Sequence, residues 1–370
     1  MIDFTSALYL GMRHPSWSLR PWQALSAGKP AALESPEGSF ATAQAVAKLM
    51  GCERGTLLPS TLHGFWDLFG LWAGERVAIY MDSGCYPIAR WGVERAKGSG
   101  TLVRQFPHDD VEALEGQLKV DADLRLKPII VADGFCPASG RPAPVRRYLE
   151  SARELRGYLI IDDTQALGIL GEDPNPKIPY GMGGGGSLQW QGLHGADILI
   201  VSSLAKGFGV PVAILAGSHD MVRWFEMNSE MRLHCSPPSV AAIRAAEHAL
   251  AVNERHGDDI RLRLAEGVSY FRGKLHEIGL SATGGLFPVQ TLVAVPWLDA
   301  PSLHDRLLRL GVRTVLRRAR NGRRPRLSFL ITALHSMRDI DHAADALAFA
   351  VQTVMTKNQS LEGHYEIQPE

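Results

Sequence analysis

The chain has 370 residues, of which 45% are hydrophobic and 21% charged, with 39 basic side chains balanced by 39 acidic ones. A neutral balance excludes binding to nucleic acid or an anionic membrane by bulk charge. The four dispersed cysteines form no metal-binding pattern and suit a reducing compartment, no segment approaches the ~18 apolar residues of a membrane span, and the first residues carry no secretory signal, so a soluble cytoplasmic protein is expected.

Helical spacing over 40–50 and 62–72 follows a segment without clear periodicity, residues 1–39, read as an N-terminal arm. Apolar strand-like runs come next at 76–81, 101–106, 128–133, 158–162, 197–203 and 212–217. Helical segments lie between them, including VRRYLESARELRG; Asp109 followed by Glu112 reads as a capping box opening a helix at VEALEGQL. Continuous apolar strands alternating with helices predict an α/β fold, with a mostly parallel sheet covered on both faces. This large domain is expected over residues 40–250.

The glycine-rich GMGGGGS (181–187) reads as a mobile loop, not as a phosphate loop, because no Lys closes it. A helical pattern of about 35 residues starts near Ser239 after Pro237-Pro238, with expected breaks at Gly257 and Gly267. TLVAVPW, RLLRLG and RLSFLIT then predict a small α+β domain over 251–370, ending in a polar tail from residue 358 expected to fray. The arginine-rich RRARNGRRPR (317–326) reads as a solvated turn between two strands, with Arg326 set apart.

Two segments carry chemistry. SSLAKGFG (202–209) follows an apolar strand and places Lys206 between small residues, where a planar aldehyde can approach it. A lysine amine forms a Schiff base once its surroundings lower its pKa. GYLIIDDTQALGILG (157–171) ends another apolar strand in Asp162 and Asp163. A carboxylate at a buried strand end is costly unless a cation meets it, and a protonated pyridine nitrogen is such a cation. Taken alone, each segment is also compatible with a surface lysine and a helix-capping Asp pair.

Together these segments resemble those of the α-oxoamine synthases, a pyridoxal-phosphate (PLP) dependent branch of the class I/II aminotransferase superfamily. DDTQALGILG is similar to the family's Asp-Glu/Asp-Ala-His-Gly-x-Gly, and SSLAKGFG to its Thr/Ser-x-x-Lys-Gly-Phe/Leu-Gly. TSALYLGMRHPS, RQFPHDDVEALEGQL, HCSPPS and RPRLSFLITALHS match further family segments in order. The resemblance implies a type I PLP fold and a homodimer whose subunits share the active sites. It implies that Lys206 holds the cofactor as a Schiff base, that Asp162 pairs with the pyridine nitrogen, and that Ser203 contacts the phosphate. Thr61 and Leu62 would offer backbone amides to the same phosphate, Tyr86 would stack on the ring and Gln165 would meet its phenolic oxygen. His234 lies in the turn that reaches a partner's phosphate; Arg326 would bind a substrate carboxylate, and Tyr9 the substrate.

The departures bear on the reaction. Tyr86 and Gln165 stand where the family has histidines, a family Ser is replaced around Cys136-Pro137, and the family's glycine-rich entry segment is shortened to ALESPEGSF (32–40). The expected activity is condensation of an amino acid with an acyl thioester of coenzyme A or acyl-carrier protein, with no metal. An aminotransferase on the same scaffold and a non-catalytic PLP-fold binding protein are the alternatives.

Overall fold

A computed structural model describes residues 1–295, 299–317 and 324–362 of the chain. It contains β1 (Ile2–Asp3), α1 (Ser39–Leu49), β2 (Arg54–Leu58), α2 (Thr61–Leu71), β3 (Val77–Asp82), α3 (Pro87–Gly98), β4 (Leu102–Phe106) and α4 (Val111–Val120). Next come β5 (Lys127–Asp133), β6 (Phe135–Cys136), β7 (Arg141–Pro142), α5 (Val145–Glu154), β8 (Tyr158–Asp162), α6 (Ser187–Gln191), β9 (Ile198–Ser203) and β10 (Ala213–Gly217). Helices α7 (His219–Asn228), α8 (Glu230–His234) and α9 (Val240–Glu277) follow. The last elements are β11 (Ala282–Thr283), β12 (Val289–Leu292), α10 (Ala300–Arg309), β13 (Val312–Arg313), β14 (Val315–Arg317), β15 (Arg326–Leu330) and α11 (Met337–Glu362). None of the described helices is long and apolar enough to cross a membrane.

The chain folds as two compact units. The larger comprises Leu10–Cys136 and Pro142–Asp259; the smaller comprises Met1–Tyr9, Pro137–Arg141 and the chain from Ile260 onward.

In the larger unit seven strands form one sheet in the order β2-β10-β9-β8-β5-β3-β4. All neighbours are parallel except β10, which runs antiparallel to β2 and to β9. Every residue of β3 and β10 is buried, as expected of strands covered on both faces. On one face Phe65, Leu68, Phe69 and Trp72 of α2 and the segment after it pack with Ala89 and Val93 of α3 against Ile79, Met81, Val131 and Leu199. Burying one such Phe stabilises the fold by roughly 2–3 kcal/mol. In the smaller unit β11-β12-β15-β14 form an antiparallel sheet, and β1 pairs in parallel with β13 across more than 300 residues of chain.

Two local expectations are corrected. Helix α4 is capped by Asp110, whose Oδ1 accepts from the Ala113 amide at 2.8 Å, and not by Asp109. Asp109 takes a left-handed backbone (φ 59°), and its amide donates to Asp82 Oδ2 at 3.1 Å. Helix α9 is one uninterrupted element of 38 residues that passes through Gly257 and Gly267, since a lone glycine costs a helix only ~1 kcal/mol. In the smaller unit RLLRLG closes helix α10, which ends at Arg309. The middle of the arginine run, the end of TLVAVPW and the tail beyond residue 362 lie outside the described residues.

The glycine-rich stretch is corrected as well, because it is tightly bonded. Glu172 and Met182 exchange backbone hydrogen bonds, the Gly168 amide donates to Gly184 O at 2.8 Å, and the Gly186 amide to Leu170 O at 2.7 Å. Gly183 donates to Asp258 Oδ1 and accepts from the Asn253 side chain. The glycines are needed for close approach, not for mobility. Gly186 has φ 98°, and a Cβ there would run into Asp163 Oδ2. Gly186→Ala is expected to lower stability by about 2–5 kcal/mol, measured by urea unfolding. A change below ~0.5 kcal/mol would mean the segment gives way freely.

Candidate active site

Strand register brings the chemistry-bearing residues to one end of the large sheet. Asp133 pairs with Asp162, and Asp162 with Val201, so the carboxyl ends of β5, β8 and β9 lie side by side. Ala213 pairs with both Ser203 and Leu58, which brings the end of β2, and so the start of α2, to the same end. Open α/β sheets bind ligands at the carboxyl ends of their strands.

Lys206 sits in the connection from β9 to β10. This turn is closed by Leu204 N–H donating to Val212 O (2.9 Å) and by the Phe208 and Val210 amides, which both donate to Leu204 O (3.2 Å). Leu204, Phe208 and Val210 are fully buried, and the His14 ring bonds Phe208 O at 3.0 Å. A Cβ on Gly207 would meet Leu167 O at 2.5 Å, so the glycine lets the segment after Asp162 approach the lysine's turn. Lys206 itself is half-buried, its Nζ 5.8 Å from the centre of the Tyr86 ring. Burial pushes its pKa down, against the opposing pull of the Asp162 and Asp133 carboxylates.

Asp162 ends β8 with only 7% exposure and accepts from the Thr164 amide at 3.0 Å. Burial raises its pKa, while the Thr164 hydrogen bonds and the Lys206 charge oppose the rise. Thr164 Oγ1 also accepts from the Ser203 amide at 3.1 Å, tying the ends of β8 and β9 together. Beside Asp162 stands Asp133, raised well above the carboxylate range by burial and by Asp162 itself. The third carboxyl, Asp163, is pushed by burial to about 7 even though the Ser187 amide donates to it at 3.0 Å. Two carboxyls, Asp162 and Asp133, therefore face one amine.

Asp133 was not singled out from the sequence. Its signal was present in PIIVAD, an apolar strand ending in an acid just as YLIID does. Its Oδ1 accepts from the Tyr86 amide at 3.1 Å, which fixes the residue that caps α3 ahead of Pro87. The Tyr86 ring is 54% exposed, a surface on which a planar group can lie.

Helix α2 opens at Thr61, capped by Ser60, whose Oγ accepts from the His63 amide and bonds the His63 ring at 2.8 Å. The amides of Thr61 and Leu62, in the first turn, have no intrahelical acceptor and carry the helix's partial positive charge. Ser203 Oγ accepts from the Ala205 amide at 3.2 Å and keeps its own proton to donate. Gln165 is half-buried three residues past Asp162, and His234 is exposed at the end of α8. The remaining two candidates lie in the smaller unit. Tyr9 is buried there, edge-on to Phe287 at 5.6 Å, and Arg326 opens β15, exposed beside a cavity of about 320 Å³ lined also by Asp299 and Arg324.

A mostly parallel sheet with a lysine turn and buried carboxyls at its carboxyl edge gives the fold of the PLP-dependent type I transferases. The chain belongs to the aminotransferase class I and II family, whose profile matches residues 1–347. Among curated proteins it is 28% identical over 253 residues to 8-amino-7-oxononanoate synthase of Alcanivorax borkumensis, covering 68% of this chain and 62% of the relative. To the Methylococcus capsulatus enzyme of the same name it is 29% identical, covering 68% of this chain and 63% of the relative. The matches thus span a little under two thirds of these relatives' length. A serine palmitoyltransferase from S. paucimobilis, solved with a bound PLP–myriocin aldimine, superposes with a TM-score of 0.81 at 16% identity, over 96% of this chain and 88% of that one. An 8-amino-7-oxononanoate synthase from Francisella tularensis gives 0.71 at 18% identity, over 95% and 98%.

The residues present fit PLP. Burial has lowered the pKa of the amine that would take the aldehyde. A buried carboxyl that lacks a full counter-charge is ready for the pyridinium, and helix-start amides are ready for the phosphate.

Proposed function

We propose that this protein is a PLP-dependent transferase that condenses an amino acid with an acyl thioester, as the names of its relatives suggest. The observation that carries the reading is Lys206, whose half-buried amine faces Asp162 and Asp133 at the carboxyl end of the sheet. Lys206 would hold the cofactor covalently, Asp162 its ring nitrogen, and Ser203 with the Thr61 and Leu62 amides its phosphate. Tyr86 would lie against the ring and Gln165 beside its phenolic oxygen. PLP would supply an electron sink for charge developing at the amino acid's α-carbon.

The chain's own residues do the rest. Lys206, once displaced, is an amine of lowered pKa placed to take and return a proton. Asp162 would pair as a carboxylate with the protonated ring nitrogen and hold its positive charge there. Asp133 keeps the Tyr86 backbone in place. Arg326 would bind the substrate carboxylate, Tyr9 would line the substrate's side, and His234 would serve a second copy of the chain in a homodimer.

Tyr86 and Gln165, in place of two histidines, keep transamination as the second reading. Incubation with single amino acids, with and without an acyl thioester, separates the two. Condensation yields an amino-ketone and a thiol only when both substrates are present. Accumulation of the cofactor's amine form without thioester would instead establish transamination.

A further inference from the structure

A cavity of about 430 Å³ lies wholly within the larger unit, at the amino end of the sheet. Lys127 and Tyr158, the first residues of β5 and β8, line it, and the register pairs Lys127 with the first residue of β3. Strand β5 carries Lys127 at this end and Asp133 at the other, about 20 Å away at the rise of a strand. The cavity is therefore separate from the residues proposed to hold PLP, which gather at the carboxyl ends of the same strands.

Its walls combine a surface of aromatic rings with unanswered polar groups. The Trp72 ring stacks with Trp224, centroids 5.8 Å and planes 25° apart, and with Tyr158 at 6.2 Å and 20°. Trp224 and Tyr158 are half-buried, so three nearly parallel rings line one side. Trp72 is only 4% exposed, yet its indole N–H has no acceptor among the described residues. A buried tryptophan ordinarily gives that proton to a partner. Arg76 and Lys127 stand exposed on the same wall, and among the described residues no acid holds either side chain. By contrast, Arg104 on β4 and Arg153 on α5 are each held by an aspartate. Among the described residues Glu75 is the single acid on the wall, and it forms an ion pair with neither base.

We propose that this cavity is a second ligand site, which binds a small planar molecule carrying an anionic group. The ring lies against the Trp72, Trp224 and Tyr158 surface, an acceptor atom takes the Trp72 indole proton, and the anion meets Arg76 and Lys127. Each wall group selects part of the ligand. A wholly apolar molecule would leave the indole N–H and both cations unanswered, and a small aliphatic anion would leave the rings uncovered. The volume lies in the range of roughly 300–1,000 Å³ usual for small-molecule sites. Two kinds of molecule share this chemistry, a nucleoside monophosphate and an aromatic carboxylate.

Titration calorimetry of the purified protein tests this with adenosine monophosphate and indole-3-acetate as ring-bearing anions, and with adenosine and inorganic phosphate as their halves. At least one ring-bearing anion should bind with a Kd below ~1 mM, and adenosine and phosphate each at least ~10-fold more weakly. Binding of the nucleotide alone identifies a nucleotide site, and binding of indole-3-acetate alone a site for aromatic carboxylates. A double variant, Arg76→Gln with Lys127→Gln, should weaken the bound probe at least ~10-fold, and Trp72→Phe, which keeps a ring but loses the donor, about 5-fold. Should Trp72→Phe fail to fold, the double variant decides, because its two side chains are exposed. No binding of either ring-bearing anion at about 5 mM, phosphate binding as tightly as the nucleotide, or unchanged affinity in the double variant overturns the proposal. None of these measurements depends on Lys206 or on cofactor attachment, so the second site stands or falls separately from the proposed activity.

Discussion

Lys206→Ala is expected to remove the covalent cofactor and to lower turnover by at least ~10³-fold, the combined loss of an anchoring amine and a proton carrier. After borohydride reduction the wild-type peptide containing Lys206 should carry the mass of one PLP, and the variant none. The pH dependence follows from the site. Burial lowers the Lys206 pKa even though Asp162 and Asp133 pull it upward. A larger share of the amine is then unprotonated at a given pH, so the rate of PLP uptake by apo-protein rises with pH and levels off below the ~10.4 of an ordinary lysine. A rate still climbing at that pH, or an unchanged spectrum on adding PLP, would count against the assignment.

The second large effect is expected at Asp162. Asp162→Asn preserves shape but cannot hold a proton on a pyridine nitrogen, so PLP should still attach at Lys206 while turnover falls about 10²–10⁴-fold. Stability should move the other way. Asp162 is buried, with its pKa raised, beside the like-charged Asp133. Its raised folded-state pKa means that its ionised form lowers stability as pH rises through the normal carboxylate range, and Asn removes that burden. The variant apo-protein should therefore melt at the same temperature or higher at neutral pH. A fall in both melting temperature and turnover would make Asp162 a structural residue.

Some of this architecture was legible because it rests on local pattern. The runs 76–81, 128–133, 158–162 and 197–203 lack internal polar breaks, and each became a central parallel strand. Strand β2 was missed because RGTLL is short and opens with Arg and Gly; its partner β10 decides its conformation. The reversed direction of β10 has no signature in VAILAG, since a strand reads alike both ways. The pairing of Ile2 with Val312 is set by tertiary contact alone. At the site, Lys206 and Asp162 stood out as charges among apolar and small residues. Asp133 carried the same mark but lacked a neighbouring motif. The His108–Asp82 contact joins residues 26 apart, and nothing in FPHDD distinguishes a histidine facing a buried carboxylate from one in solvent. Asp109 was mistaken for the cap because two consecutive aspartates offer two helix starts, and only backbone geometry chooses between them.

The turn that holds Lys206 is stitched at both ends to antiparallel neighbours and carries no helix of its own. In the proposed role Lys206 would release one partner and later recapture it, searching only the space its own four methylenes can sweep. With the main chain pinned, that search is short, and the return is always to the same address. Lengthening the turn by a residue would leave every chemical group in place and still blunt the catalyst, because the lysine would come home late.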